Sequence, residues 1–123
     1  MRHRGWTLVA VITITMLLPA SGRPPALAQT TMTVEERRLL DNDRVMVLDL
    51  TFPPGFRGEE HAAVADEFAY VLDGQFTVVT RGQGRRVVRK GEVEYATKDT
   101  VHMSLNESKR PARVLVVILK PSP

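Results

Sequence analysis

His61, Glu67 and His102 are side chains of types that hold cations or move protons. Imidazole nitrogen and carboxylate oxygen both ligate first-row divalent metals, and imidazole changes its charge near neutral pH. Glu67 follows His61 by six residues, whereas His102 lies 41 residues beyond His61. A site shared by all three therefore needs separate strands to converge. Taken singly, a histidine near a strand edge is most often a hydrogen-bonded polar residue. Nucleophilic catalysis has little to work with, because Cys is absent and no Ser is tied to either histidine by spacing. Tyr70, Tyr95, Phe56 and Met103 are of types that could line a pocket, although aromatics scattered over strands are more often core.

The elements that must position these residues read as strands. Met46, Leu48, Leu50 and Phe52 alternate with Val47, Asp49 and Thr51, and Pro53-Pro54-Gly55 stops the run. Phe68 to Leu72 and Phe76 to Thr80 flank Asp73-Gly74, which predicts a tight hairpin with positive φ at both turn residues. Glu67, Ala69 and Val71 share one face of the first of these runs. Phe68, Tyr70 and Leu72 share the other, so the strand should be buried on both sides. Arg81-Gly82-Gln83-Gly84 predicts a second turn before Arg85 to Lys90. Glu92 to Tyr95, His102 to Asn106 and Ala112 to Leu119 complete the set. Thr33-Val34-Glu35-Glu36 fits a helix capping box, but a strand-like run follows it. Short strands separated by turn signals, with no long helical period, predict an all-β antiparallel sandwich or barrel.

The N-terminus reads differently. Arg2, His3 and Arg4 precede the uncharged, mostly apolar run from Trp6 to Leu18, and Ala26-Leu27-Ala28 supplies small residues two apart. This is the layout of a signal peptide over residues 1–28, and the apolar run falls short of the about 20 residues of a membrane span. Export to the periplasm or beyond the cell, with no stable membrane anchor after cleavage, is the expectation. Residues 29–33 then form a leader, 34–120 one domain and 121–123 a tail.

Cleavage also changes the charge. Three of the 17 basic residues (Arg2, Arg4, Arg23) and none of the 14 acidic ones lie in the expected signal peptide, so the mature chain would be neutral. Arg85, Arg86, Arg89 and Lys90 form a basic cluster without interleaved aromatics, better suited to guarding a strand edge than to binding nucleic acid.

Gly55, His61, Glu67 and Gly74 hold four of the five fixed positions of the pattern G-x5-H-x-H-x3,4-E-x6-G, with Ala63 in place of its second histidine. Gly91, His102 and Asn106 hold three of the five in G-x5-P-x-G-x2-H-x3-N, where Thr97 and Asp99 replace Pro and Gly. With both patterns in order, the chain resembles the cupins. That resemblance implies a small jelly-roll barrel (a double-stranded β-helix) with a metal site inside. Carried over residue by residue, it makes His61, Glu67 and His102 the candidate ligands of a divalent ion, with Fe, Mn, Zn, Ni and Cu undistinguished. Glu59, Glu60 or Asp66 could compensate for Ala63, and the turn before His102 need not follow the family's path. Asn106 and the glycines read as structural.

Three functions follow. One is a metal-dependent cupin acting on a small molecule, of a dioxygenase-like or isomerase-like kind, the second is a small-ligand binding module that has lost its metal, and the third is a stability or assembly role through a dimer alone. A homodimer is expected, because a small barrel without disulfides needs further support and related barrels pair through their sheets.

Overall fold

The period-two alternation of Met46 to Phe52 becomes a strand with two unlike faces. Leu48, Leu50 and Phe52 point inward, and Val47, Asp49 and Thr51 point outward. The same rule operates throughout the computed structural model, which describes residues 32–122. The expected signal peptide, over residues 1–28, lies outside the described residues. Among the described residues there are nine strands and no helix: β1 (Glu35–Asp41), β2 (Val45–Phe52), β3 (His61–Ala62), β4 (Asp66–Asp73), β5 (Gln75–Thr80), β6 (Gly84–Arg89), β7 (Val93–Ala96), β8 (Val101–Leu105) and β9 (Ala112–Leu119). They form two antiparallel sheets, β1-β2-β9-β4-β7 and β3-β8-β5-β6. This is the all-β jelly-roll arrangement, with the core between the sheets.

Phe52, Val71, Phe76, Val78, Val88, Ala112 and Val114 are buried there. Phe52 is the hub of the aromatic packing, its ring centroid 5.1 Å from Phe56 and 5.9 Å from Phe76. The Gly-rich turn after β5 closes the expected hairpin, with Thr80 opposite Gly84. The basic strand β6 is an edge of its sheet, and Arg85 and Arg86 are paired with Glu107 and Glu92.

Residues 33–36 start no helix, in keeping with the strand-like run that follows them: Glu35 and Glu36 pair with Thr51 and Leu50 in the sheet. Two expectations need correction. Asp73-Gly74 is not a hairpin. Both edges of β4 are taken by β7 and β9, and both edges of β5 by β8 and β6, so the chain changes sheets at Gly74. Asp73 stays in β4, and only Gly74 has a positive φ, 72°. A glycine is needed there on two counts, since a Cβ would sit 2.4 Å from the Pro111 carbonyl oxygen. Finally, β4 is not buried on both faces. Glu67, Ala69 and Val71 face inward, but Tyr70 is 38% exposed on the outer face.

Candidate metal centre

The two histidines are brought together by one continuous ladder. Gly55 N–H donates to the Asn106 carbonyl (2.8 Å), Asn106 N–H to Phe56 O (2.8 Å), and Gly58 N–H to Ser104 O (2.9 Å). Arg57 bridges Leu105, and β3 then pairs with β8 so that His61 stands directly opposite His102. Beyond them Ala63 N–H donates to Thr100 O, and Asp99 N–H to Ala63 O, both at 2.8 Å. The segments carrying the two sequence patterns thus lie antiparallel side by side, and their imidazole centroids are 4.8 Å apart. β3 is only two residues long, too short to announce itself by alternation.

The turn before His102 follows from the same ladder. Asp99, at the position where the family pattern has glycine, has a φ of 70°. It is the one non-glycine residue with positive φ among those described. The backbone path is therefore kept despite the substitution, and an aspartate tolerates it better than most side chains do. At the other end of the ladder Asn106 is fully buried. Its side chain donates to the carbonyls of Phe52 (3.1 Å) and Arg110 (2.8 Å) and accepts from the N–H and hydroxyl of Ser108. Its role is structural, since it ties β2 to the turn leading into β9.

Glu67 reaches the histidines from the facing sheet. His102 Nε2 lies 3.2 Å from Glu67 Oε1. A carboxylate only accepts, so Nε2 carries the proton. That hydrogen bond raises the His102 pKa above 6.5, against burial, which lowers it. His102 Nδ1 is buried without a hydrogen-bond partner. His61 is exposed, and its Nδ1 lies 3.1 Å from the Glu59 carbonyl. The carbonyl requires Nδ1 to donate, which leaves the Nε2 lone pair available, as carbonyl-oriented metal-binding histidines require. One ligand atom from each of His61, Glu67 and His102 lies within 4.8 Å of the others. Exposure falls from His61 through Glu67 to His102, so the cluster runs from solvent into the barrel.

The cluster forms the polar end of a cavity of about 520 Å³. Leu48, Leu50, Phe52, Phe56, Phe76, Val114, Val116 and Ile118 supply its apolar wall, and Glu59, Glu94 and Ser104 join the polar end. Glu94 is the residue that sequence reasoning missed. It is buried, and burial pushes its carboxyl above the ordinary range. The signal for it was the alternation Val93-Glu94-Tyr95-Ala96, which places a carboxyl on the same face as a small residue.

Tyr70, Tyr95 and Met103 do not line this cavity. Each is one residue out of phase with an inward neighbour (Ala69, Glu94 and His102), so each points to the far side of its sheet. The Tyr95 hydroxyl instead donates to Asp66 (3.1 Å). Asp66 also accepts from Lys98 N–H, and Glu60 pairs with Arg81, so neither replaces the ligand missing at Ala63. Ala63 itself is buried in the ladder.

The sequence matches the family model of the cupin domain over residues 48–118, more than half of the chain. The chain is a cupin. No curated protein matches it at a significant level. Among solved structures, it is similar to an RmlC-like cupin with a double-stranded β-helix fold from Methanocaldococcus jannaschii. There the TM-score is 0.67 at 15% identity, over 75% of this chain and 84% of that one. KdgF from Halomonas sp. gives a TM-score of 0.62 at 19% identity, over 72% and 80%. The DMSP lyase DddQ from Ruegeria pomeroyi DSS-3 gives 0.65 at 18%, over 70% of this cupin but 46% of that longer chain. At these identities the likeness shows the fold.

Proposed function

We propose that this cupin holds a divalent metal on His61, Glu67 and His102 and acts on a small molecule in the cavity behind them. The observation that carries this reading is the convergence of those three ligand atoms within 4.8 Å at the polar end of an otherwise apolar chamber. The donor set fits a metal. Two imidazoles and a carboxylate leave coordination positions open, and His102 Nε2 and Glu67 Oε1 converge to 3.2 Å, where a metal would replace the proton between them. Such an ion, when bound, supplies Lewis-acid polarisation or, as Fe(II), open positions for O₂ and substrate.

The chain's own residues do the rest. The Glu59 carbonyl fixes the His61 tautomer, and Glu67 accepts the hydrogen bond from His102 Nε2–H in the metal-free state. The aliphatic and phenylalanine wall excludes water. Glu94 brings a second buried carboxyl to the same cavity, its pKa raised by that burial.

Two further parts belong to the reading. The protein is exported, with residues 1–28 removed. It also pairs with a second copy through the outer face of the five-stranded sheet, where Leu40, Val47, Val117, Phe68 and Tyr95 stand in one register row across all five strands.

The deciding experiment is metal content per chain. The purified protein should carry, or take up from a divalent-metal buffer, one equivalent, and His61→Ala and His102→Ala should lose it. A parent chain that stays metal-free at neutral pH overturns the metal reading. Loss of Trp6 fluorescence from the exported form tests cleavage. Light scattering of the parent beside Val117→Lys tests the dimer.

A further inference from the structure

The wall of the cavity carries information about its ligand beyond the metal site. Its polar end carries the Glu67 and Glu94 carboxyl groups with the two histidines and Ser104; Glu59, which is exposed, also lines it, and no Lys or Arg does. A bound divalent ion would be balanced by Glu67 and Glu94, which leaves no surplus cation for an anionic substrate. Carboxylate oxygens accept hydrogen bonds, so a complementary ligand must donate them. The opposite wall is aliphatic and aromatic. Phe52 contacts both Phe56 and Phe76, and the Phe52–Phe76 rings are stacked within 17° of parallel. A volume of about 520 Å³ falls in the range of sites for compact organic molecules of one to three rings.

We infer that the cavity selects an uncharged, largely aromatic molecule with a hydrogen-bond-donating hydroxyl or amine at one end, and rejects carboxylated, phosphorylated or sulfonated compounds. The apolar rings lie against Phe52, Phe56, Phe76 and the β9 aliphatics, and the donor meets the carboxylates beside His102. Glu94 is the specificity residue, because it is buried, belongs to none of the ligand positions and places a carboxyl on the ligand's side of the chamber. The inference rests on the proposed function only for the end at which the ligand's donor is placed.

A matched pair of fluorescent probes tests it. N-phenyl-1-naphthylamine is uncharged and carries one N–H donor; 1-anilinonaphthalene-8-sulfonate is the same skeleton with a fixed negative charge. Both are titrated against the full chain with and without bound metal, at about 0.3 M salt to screen the surface arginines. The amine should saturate near one probe per chain and bind at least tenfold more tightly than the sulfonate. Glu94→Gln should shrink that ratio severalfold. Ala69→Phe and Ser104→Phe, which fill the cavity from opposite sheets, should each weaken the amine at least tenfold.

Equal or tighter binding of the sulfonate by the parent overturns the inference, whether or not either filled variant folds. So does amine binding that survives both filled variants in folded form, which would place the probe on the outer sheet. Metal content measured on the same samples separates the two claims. A metal-binding chain that prefers the sulfonate overturns only the ligand class. A metal-free chain that prefers the amine overturns only the proposed function.

Discussion

The hydrogen bond between His102 and Glu67 makes the metal-free protein more stable in mild acid than it otherwise would be, and Glu67→Gln removes that gain. His102 has its pKa raised, first by the bond to Glu67, so the native state holds a proton that the unfolded chain releases near 6.5. The resulting stabilisation is fully present below about 6.5 and is lost as pH rises through the native value. The two side chains are 6% and 17% exposed, so solvent screens the pair little. A hydrogen bond to a charged partner contributes about 1.5–3 kcal/mol, and burial of the imidazole favours the lower end. In a domain of this size about 1.5 kcal/mol corresponds to roughly 6–12 °C in Tm. Glutamine keeps an acceptor for neutral imidazole, so the loss should be concentrated at low pH. The assay is thermal unfolding of EDTA-treated parent and Glu67→Gln at pH 5.5 and 8.5, repeated in a Glu94→Gln background. Glu94 has its own raised pKa and adds a slope of the same sign, which that background removes. A Glu67→Gln cost that is the same at both pH values would refute the charged pair.

Three further outcomes follow from the ladder and its turns. Asn106→Ala strands the buried carbonyl of Phe52 and unties the Ser108 turn, and should cost about 2–4 kcal/mol in chemical denaturation. Gly74→Ala meets both a left-handed backbone and the Pro111 carbonyl, whereas Gly82→Ala has the same φ problem and open space around it. Gly82→Ala should therefore cost about 1–2 kcal/mol and Gly74→Ala clearly more, and equal midpoint shifts would show that the close approach is relieved cheaply. Asp99→Gly should raise the unfolding midpoint by about 1 kcal/mol equivalent without changing metal content, because it relieves a positive φ outside the ligand set.

Much of this was legible in the sequence because fold and site share a few fixed points. The alternation in Met46 to Phe52 gave a true inside and outside, and His61, Glu67 and His102 converge as their positions in the two patterns implied. What was not legible depends on long-range pairing. Asp73-Gly74 carries a strong local hairpin signal, but nothing near it in the chain says that both flanking strands have their edges occupied by distant strands. Tyr70, Tyr95 and Met103 were picked by residue type, and a one-residue change of phase put each on the wrong face. Asp49 shows the same dependence on distant pairing: it points outward, yet it is buried between Arg37 and Arg113, which hold its carboxyl well below the usual range.

The site and the core are one construction. Both histidines sit on a single ladder and so keep their spacing through backbone hydrogen bonds alone, whereas Glu67 arrives from the other sheet. The distance from carboxylate to imidazoles is therefore set by how far apart the sheets stand. Phe52, Phe76, Val71 and Val114 fill the space between them, and Phe52, Phe76 and Val114 also line the cavity. A close-packed interior does not deform continuously, so a smaller side chain at Phe52 or Phe76 leaves a void or lets the sheets close. Either response shifts Glu67 relative to His102 without altering either side chain. The apolar wall thus acts twice, as the lining of the cavity and as the spacer that sets the geometry of His61, Glu67 and His102, the three residues that could hold a metal where the family pattern has four.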